Sequence, residues 1–209
     1  MKKFLLLSLS LVLVLACGQS PQKKADALIK ESLLKTLIFP DSYEAVETVL
    51  DSAFTPYQDP SFISTVLEIC NKGPEVADLE DKMKRAKSSM AIWNHPYMGA
   101  YGRNEYSEAK NEYDQAKASY DAIVSRVQKM SEGLRVQIEK EPEFIGFQAR
   151  HRYRAKNNAG NTLMGEHFFL LDKDLTRIIA QWDSDEIDIY QEFLKQINEA
   201  AEDIQSLAL

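Results

Sequence analysis

The longest regular pattern in the chain is a pair of apolar stripes with the spacing of amphipathic helices. Apolar residues recur every three or four positions from Val76 to Trp93 and again from Tyr106 to Leu134. This spacing keeps them on one helical face, where a partner helix can cover them. At about 1.5 Å per residue, the second stripe extends for roughly 40 Å. The two stripes and the short break between them predict an antiparallel helical hairpin at about residues 61–141.

The pattern changes to a period of two after Pro142, which indicates β-strands. Apolar and basic residues alternate from Phe147 to Lys156, and the partner strand is predicted at Leu163 to Asp172. The intervening residues 157–161 are rich in Asn and Gly, which tolerate the positive φ of hairpin turns. We therefore expect an antiparallel β-hairpin.

The turn sets the register of this hairpin. If Lys156 faces residue 162, His151 lies opposite His167, Arg152 opposite Glu166, and Ala149 opposite Phe169. A two-residue turn at Lys173-Asp174 then predicts a third strand at Leu175 to Trp182, with Ile178 opposite Phe169 and Trp182 opposite Gly165. The resulting apolar face comprises Phe147, Ala149, Tyr153, Leu163, Phe169, Leu171, Ile178 and Trp182.

Helical stripes also mark both ends of the chain. The first runs from Leu28 to Ile38, is ended by Pro40, and is followed by a predicted strand at Tyr43 to Phe54; the last runs from Ile187 to Ile204. The predicted fold class is α+β. A four-stranded, mainly antiparallel sheet is covered by the terminal helices, and a long antiparallel helical hairpin is inserted after the first strand.

The amino terminus has the pattern of an export signal. Lys2 and Lys3 precede an apolar run from Phe4 to Leu15, and Ala16-Cys17 follows. The segment Val14-Leu15-Ala16-Cys17 resembles the lipobox of bacterial lipoproteins. This resemblance implies cleavage after Ala16 and lipidation of Cys17. The chain is then divided into a signal peptide (1–16), a lipidated tether (17–24) and a single α+β domain (25–209) that carries the hairpin.

The net charge of the chain limits the classes of partner that it can bind. Removing residues 1–16 leaves 23 basic against 32 acidic residues, a formal net charge of −9. This argues against nucleic acid, and against anionic headgroups as the main partner.

Gly18 is not the Asp that, by resemblance to enterobacterial lipoproteins, retains such proteins in the inner membrane. We therefore expect a cell-envelope protein, attached to the outer membrane and facing the periplasm, with the lipid on Cys17 as its contact with that membrane.

Candidate chemistry is sparse. No catalytic signature, phosphate loop or metal-ligand spacing is present, so we predict no catalytic residues, no metal and no cofactor. His151 and His167 are predicted to face one another, either as a packed pair or as two metal ligands without a third. Cys70 lies in an apolar helical pattern, where it is either a small buried hydrophobe or a reactive thiol.

Two surfaces are candidates for binding. The basic strand face (Arg150, Arg152, Arg154 and Lys156) suits an anionic ligand or partner, because Arg presents a fork of donors and only Glu166 is placed to neutralise it. The alternative is a solvated face paired with acids. The other surface is the break in the helical hairpin, where Trp93, Tyr97 and Tyr101 either contact a partner or fold back against the helices.

The predicted function is a non-enzymatic, membrane-anchored binding or scaffolding module of the cell envelope, with an envelope protein or an anionic ligand as its partner. The first alternative is a small envelope hydrolase that uses His151, His167 and Glu166. The second is an inhibitor or immunity-type protein.

Overall fold

The computed structural model describes residues 20–207, which form five α-helices, four β-strands and two 3₁₀ turns. The elements are α1 (Pro21–Thr36), a 3₁₀ turn (Pro40–Ser42), β1 (Glu44–Phe54), α2 (Pro60–Cys70), α3 (Gly73–Trp93), a 3₁₀ turn (Pro96–Met98), α4 (Gly99–Ile138), β2 (Phe144–Lys156), β3 (Thr162–Leu171), β4 (Ile178–Asp183) and α5 (Ser184–Leu207). The α+β fold class is confirmed.

The described residues form two compact units. The sheet unit contains residues 20–53 and 144–184, and the hairpin unit contains residues 54–143 and 185–207. The helices α2 to α4, which occupy Pro60–Ile138, lie in the hairpin unit and follow β1 in the chain, as predicted for the inserted hairpin. Among the helices that the structure describes, none is long and apolar enough to cross a membrane.

The first helix begins earlier than the sequence pattern indicated. Ser20 caps α1 by accepting a hydrogen bond from the Lys23 backbone N–H at 3.4 Å, and Pro21 occupies the first turn. Proline suits this position because the missing N–H has no intrahelical partner there. The last four residues of the predicted tether (17–24) are helical. The predicted signal peptide, the cleavage site after Ala16 and Cys17 lie outside the described residues.

The sheet has the strand order β1-β2-β3-β4. In the β2–β3 hairpin, Lys156 pairs with Thr162, His151 with His167, and Arg152 with Glu166, so the predicted register is confirmed. Asn157 stabilises the turn because its side-chain oxygen accepts backbone hydrogen bonds from Ala159 and Asn161, each at 3.0 Å. This local turn chemistry fixes the register of both strands.

The predicted register of the last strand is wrong. Trp182 pairs with Phe168 rather than Gly165, and Ile178 pairs with Leu171 rather than Phe169. The turn is longer than the predicted two residues because the Asp172 carboxylate accepts hydrogen bonds from the backbone N–H and hydroxyl of Thr176, at 2.7 and 2.5 Å. The shift puts Trp182 on the opposite face of the sheet from the predicted one.

The core of the sheet unit lies between α1 and one face of the sheet. Ala25, Ile29 and Leu33 of α1 are buried together with Ala149, Tyr153, Ala155, Phe169, Leu171 and Leu175. Leu163, which was predicted to belong to this face, is 54% exposed because it lies beside the connecting turn, at the end of the β2–β3 hairpin. In α5, the Tyr190 hydroxyl donates to the Tyr57 carbonyl at 2.7 Å within the hairpin unit.

The helical hairpin follows its predicted seam. Every position of the two stripes from Val76 to Trp93 and from Tyr106 to Leu134 is buried or half-buried, and Ala86, Ala109 and Ala116 are at most 5% exposed. Small residues at these positions let the two backbones approach closely. The second helix is longer than its stripe, since α4 contains 40 residues and extends for about 60 Å.

Candidate functional site

Each arginine of the basic strand face lies beside a carboxylate. Arg150 is 3.6 Å from Glu166, Arg152 is 3.7 Å from Glu47, and Arg154 is 3.9 Å from Glu44. The prediction that only Glu166 is placed to neutralise these cations is therefore wrong. The adjacent strand β1 supplies the two other acids, and the sequence did not fix how β1 pairs with β2.

These pairs leave the basic strand face largely solvated. The charged side chains are 29–69% exposed and the N–O distances exceed those of hydrogen bonds. Exposed pairs of this kind contribute about 0–1 kcal/mol each. Lys156, at the end of the same face, is exposed, and its backbone N–H donates to the Ser42 hydroxyl at 2.8 Å. The face therefore has its own neutralising acids, as the alternative interpretation expected.

The two predicted histidines lie on the opposite, buried face of the sheet. His151 is 1% exposed, and its ring nitrogens bond to the hydroxyls of Tyr43 at 2.9 Å and Thr48 at 2.8 Å. A neutral imidazole satisfies both hydroxyls because it has one donor and one acceptor nitrogen. Burial lowers the pKa of His151; the charge of Asp26 opposes this shift in part, and the nearby His167 adds to it.

The Tyr153 ring is adjacent to both imidazoles, those of His151 and His167. Tyr153 stacks on His151 with 5.9 Å between ring centroids and lies 5.7 Å from His167, whose Nδ1 is 3.3 Å from the tyrosine hydroxyl. Gly165 makes room for this ring, since a Cβ there would lie 2.5 Å from the tyrosine Cζ. Among the side chains that the structure describes, no three His, Cys, Asp or Glu residues form a metal-binding group.

The three residues of the hydrolase alternative do not come together. His151 and His167 face the core, whereas Glu166, one position before His167 in β3, points to the other face and pairs with Arg150. A cavity of about 270 Å³ does reach His151 from the side of α1 and β1. It is lined by Gln22, Asp26, Lys30, Tyr43, Ala45, Val46, Glu47, Thr48 and His151.

The thiol of Cys70 is half-buried near the end of α2 and forms no disulfide. Burial raises its pKa above the ordinary value. Because the thiolate is the reactive form, this environment favours the interpretation of Cys70 as a small hydrophobe.

The hairpin tip, defined as residues 92–103, is built around a tight turn between α3 and α4. The helix α3 ends at Trp93, the Pro96–Met98 segment makes one 3₁₀ turn, and Gly99 adopts a φ of +60°. A side chain at Gly102 would meet the Met98 Cβ at 2.1 Å, so α4 can pass close to the turn only with glycine there. These residues fix the direction in which the aromatic side chains project.

Two of the three predicted aromatic side chains of the hairpin tip, Tyr97 and Tyr101, are exposed, whereas Trp93 is half-buried at the end of the seam. Tyr97 is 97% exposed and Tyr101 is 65% exposed, and Trp93 packs edge-on against Tyr101 at 5.5 Å. The Tyr101 hydroxyl is also held by Glu105, whose hydrogen bond raises the pKa of the phenol. Of the two predicted arrangements, Tyr97 and Tyr101 have the exposed one and Trp93 packs between the helix end and Tyr101.

The hairpin tip also contains an apolar residue that the sequence pattern did not single out. Ile92 is 59% exposed because it lies off the seam, and the neighbouring Met98 of the turn is 39% exposed. A cleft of about 490 Å³ lies beside them, lined by Trp93, Asn94, His95, Pro96, Gly99, Arg103 and Tyr106. A helical wheel of α3 identifies Ile92 as an apolar residue on the outer side, and that signal was available in the sequence.

Comparison of the chain with protein-family models, with curated proteins and with solved structures found no match.

Proposed function

We propose that this protein is a lipid-anchored, non-catalytic binding module of the cell envelope that contacts its partner through the hairpin tip. The observation that carries the proposal is the exposure of Tyr97 and Tyr101 together with Ile92. Aromatic residues dominate contact energies because they combine a large apolar area with little side-chain entropy. Their concentration at one end of a helical hairpin favours a contact role over a purely structural one.

The hairpin supplies a stiff support for this contact. Its seam is continuous from Val76 to Trp93 on α3 and from Tyr106 to Leu134 on α4. A preorganised surface loses less conformational entropy on binding than a flexible loop. A tip that is supported by two packed helices suits recognition or scaffolding.

The anchor follows from the segment Val14-Leu15-Ala16-Cys17, with its resemblance to a lipobox. We propose cleavage after Ala16, lipidation of Cys17 and attachment to the outer membrane on its periplasmic side. Several acyl chains together give durable attachment, because each buried methylene contributes about 0.8 kcal/mol. The partner of the tip is then another envelope component.

The test is capture of the partner by the native lipidated protein after crosslinking in intact cells. The variant Tyr97→Ser/Tyr101→Ser should lose the captured component while its helical content is unchanged. The matched variant Arg150→Ala/Arg154→Ala alters the basic strand face instead. If the arginine variant loses the component and the tyrosine variant keeps it, the basic strand face is the binding surface and the proposal for the tip is wrong.

A further inference from the structure

The charge of the chain is unevenly distributed, and the hairpin end is basic. Residues 82–104 contain five basic residues and no acidic residue, although the whole chain has a net charge of −7. These basic residues are Lys82, Lys84, Arg85, Lys87 and Arg103, and all five are exposed. On α4, Glu105 and Glu108 follow four and seven residues after Tyr101, at about the same distance from the tip as Lys87, so basic residues outnumber acidic ones at this end without being the sole charges there. The net negative charge of the whole chain, which argued against anionic headgroups as a partner, therefore does not apply to this end of the hairpin.

Four of the five basic residues lie behind the apolar end along the hairpin axis, and the fifth, Arg103, lies within the tip. Tyr97 and Tyr101 lie at the extreme end, and Ile92 and Trp93 form the last turn of α3. Lys87 is six residues before Trp93, or about 9 Å along the helix, and Lys84 is about 14 Å from it. An apolar and aromatic end with cations about 10 Å behind it matches the layers of a bilayer surface. Aromatic and apolar groups occupy the interface at a depth of about 5–10 Å, and cations meet the headgroups.

We infer that the hairpin tip docks on a bilayer surface that contains anionic lipids. This inference rests on the proposed function and names the chemistry of the partner. Electrostatic attraction acts within about one Debye length, roughly 8–10 Å at physiological ionic strength, so the acids of the rest of the chain contribute little at the tip. At the hairpin end itself, the five basic residues outnumber Glu105 and Glu108 of α4. Juxtamembrane cations attract anionic lipid, and the exposed aromatic side chains add the apolar contribution.

The dimensions of the tip favour a bilayer over a folded protein. Two helices side by side present an end of about 10 by 20 Å, or roughly 200 Å². A stable protein interface buries about 800 Å² on each partner, with complementary shape. A bilayer requires no matching shape, because the lipids rearrange around an inserted end.

The test measures vesicle binding of the processed chain of the proposed function, residues 17–209 with Cys17→Ser, so that no acyl chain contributes. Equimolar phosphatidylcholine–phosphatidylglycerol vesicles should bind it, and pure phosphatidylcholine vesicles should bind it at least about tenfold more weakly. Brominated acyl chains should quench the emission of Trp93. Raising the salt concentration should weaken binding.

Two sets of variants separate the electrostatic contribution of the lysines from the apolar contribution of the tip. Lys84→Gln/Lys87→Gln should weaken binding about tenfold or more, whereas the matched variant Lys117→Gln/Lys129→Gln, on α4 away from the tip, should leave it unchanged. Tyr97→Ser/Tyr101→Ser should abolish the quenching, and circular dichroism checks that each variant is folded. If that variant is not folded, Ile92→Ser tests the same apolar end.

Three outcomes would overturn the inference: equal binding to both kinds of vesicle, binding that the Lys84/Lys87 variant retains, or no quenching. A photo-crosslinker at position 97 in intact cells distinguishes failure of the bilayer inference from failure of the proposed function. Adducts with protein alone overturn the bilayer inference and keep the contact role of the tip. The absence of any adduct contradicts both.

Discussion

A buried charge in the helical seam provides the most direct test of the hairpin. Ala116 is 5% exposed, so Ala116→Asp places a carboxylate among apolar side chains. The carboxylate either stays charged or takes up a proton at neutral pH. If burial raises the pKa of this carboxyl group by about three units, the folded state with the charged group is destabilised by about 4 kcal/mol relative to the unfolded chain. We therefore expect a loss of about 3–4 kcal/mol in the free energy of unfolding, a large part of the total for a domain of this size.

The matched control is Ala122→Asp, which makes the same substitution on an exposed position of the same helix. Its penalty is the difference in helix propensity between Ala and Asp, at most about 0.7 kcal/mol. Both free energies are measured by urea unfolding followed by far-UV circular dichroism. A difference below about 1 kcal/mol between the two variants would mean that position 116 is not enclosed, and the seam would be misassigned.

Three further predictions concern the sheet and the anchor. Because burial lowers the pKa of His151 below the ordinary 6.5, the unfolded chain takes up a proton that the folded chain resists. The contribution of His151 to the free energy of unfolding should be fully present above about pH 6.5 and should fall as the pH decreases toward the folded pKa. In urea unfolding measured at several pH values, His151→Gln should reduce the dependence of this free energy on pH. An unchanged dependence would exclude His151 as its source. Gly165→Ala should destabilise the fold by about 1–3 kcal/mol, because its Cβ would overlap a tyrosine ring, whereas Gly133→Ala in open space on α4 should stabilise it by about 1 kcal/mol. Equal urea midpoints for these two glycine variants would contradict the packing. Cys17→Ser should leave unprocessed precursor without lipid, which mass spectrometry of the membrane fraction checks; mature-size variant protein in wild-type amounts would contradict the lipobox interpretation.

Local sequence signals predicted most of the architecture. The β2–β3 register follows from alternation and from a turn whose Asn157 side chain organises it, all within residues close in the chain. The helical seam follows from a three-four period that continues without interruption. In both cases, the residues that determine the structure are neighbours in sequence, so no long-range pairing had to be known.

The wrong predictions depend on side-chain hydrogen bonds or on pairing between residues that are distant in the chain. The β4 register depends on the hydrogen bonds of Asp172, which lengthen a turn that looked like two residues. The neutralisation of Arg152 and Arg154 depends on β1, about 100 residues earlier in the chain, and its pairing with β2 leaves no periodic signal. The candidate site was predicted as a choice between two surfaces. Exposure at the tip and ion pairing on the basic strand face favour the tip in our proposal, and both are properties of the folded chain.

The central claim is that the hairpin tip is the surface through which the anchored protein makes contact. Its most direct test is a photo-crosslinking amino acid placed at Tyr97 in the native lipidated protein in intact cells, with Ala122 as the matched exposed position on α4. The account predicts adducts from position 97 and few or none from position 122. No adducts at position 97, or equal yields at both positions, would contradict it.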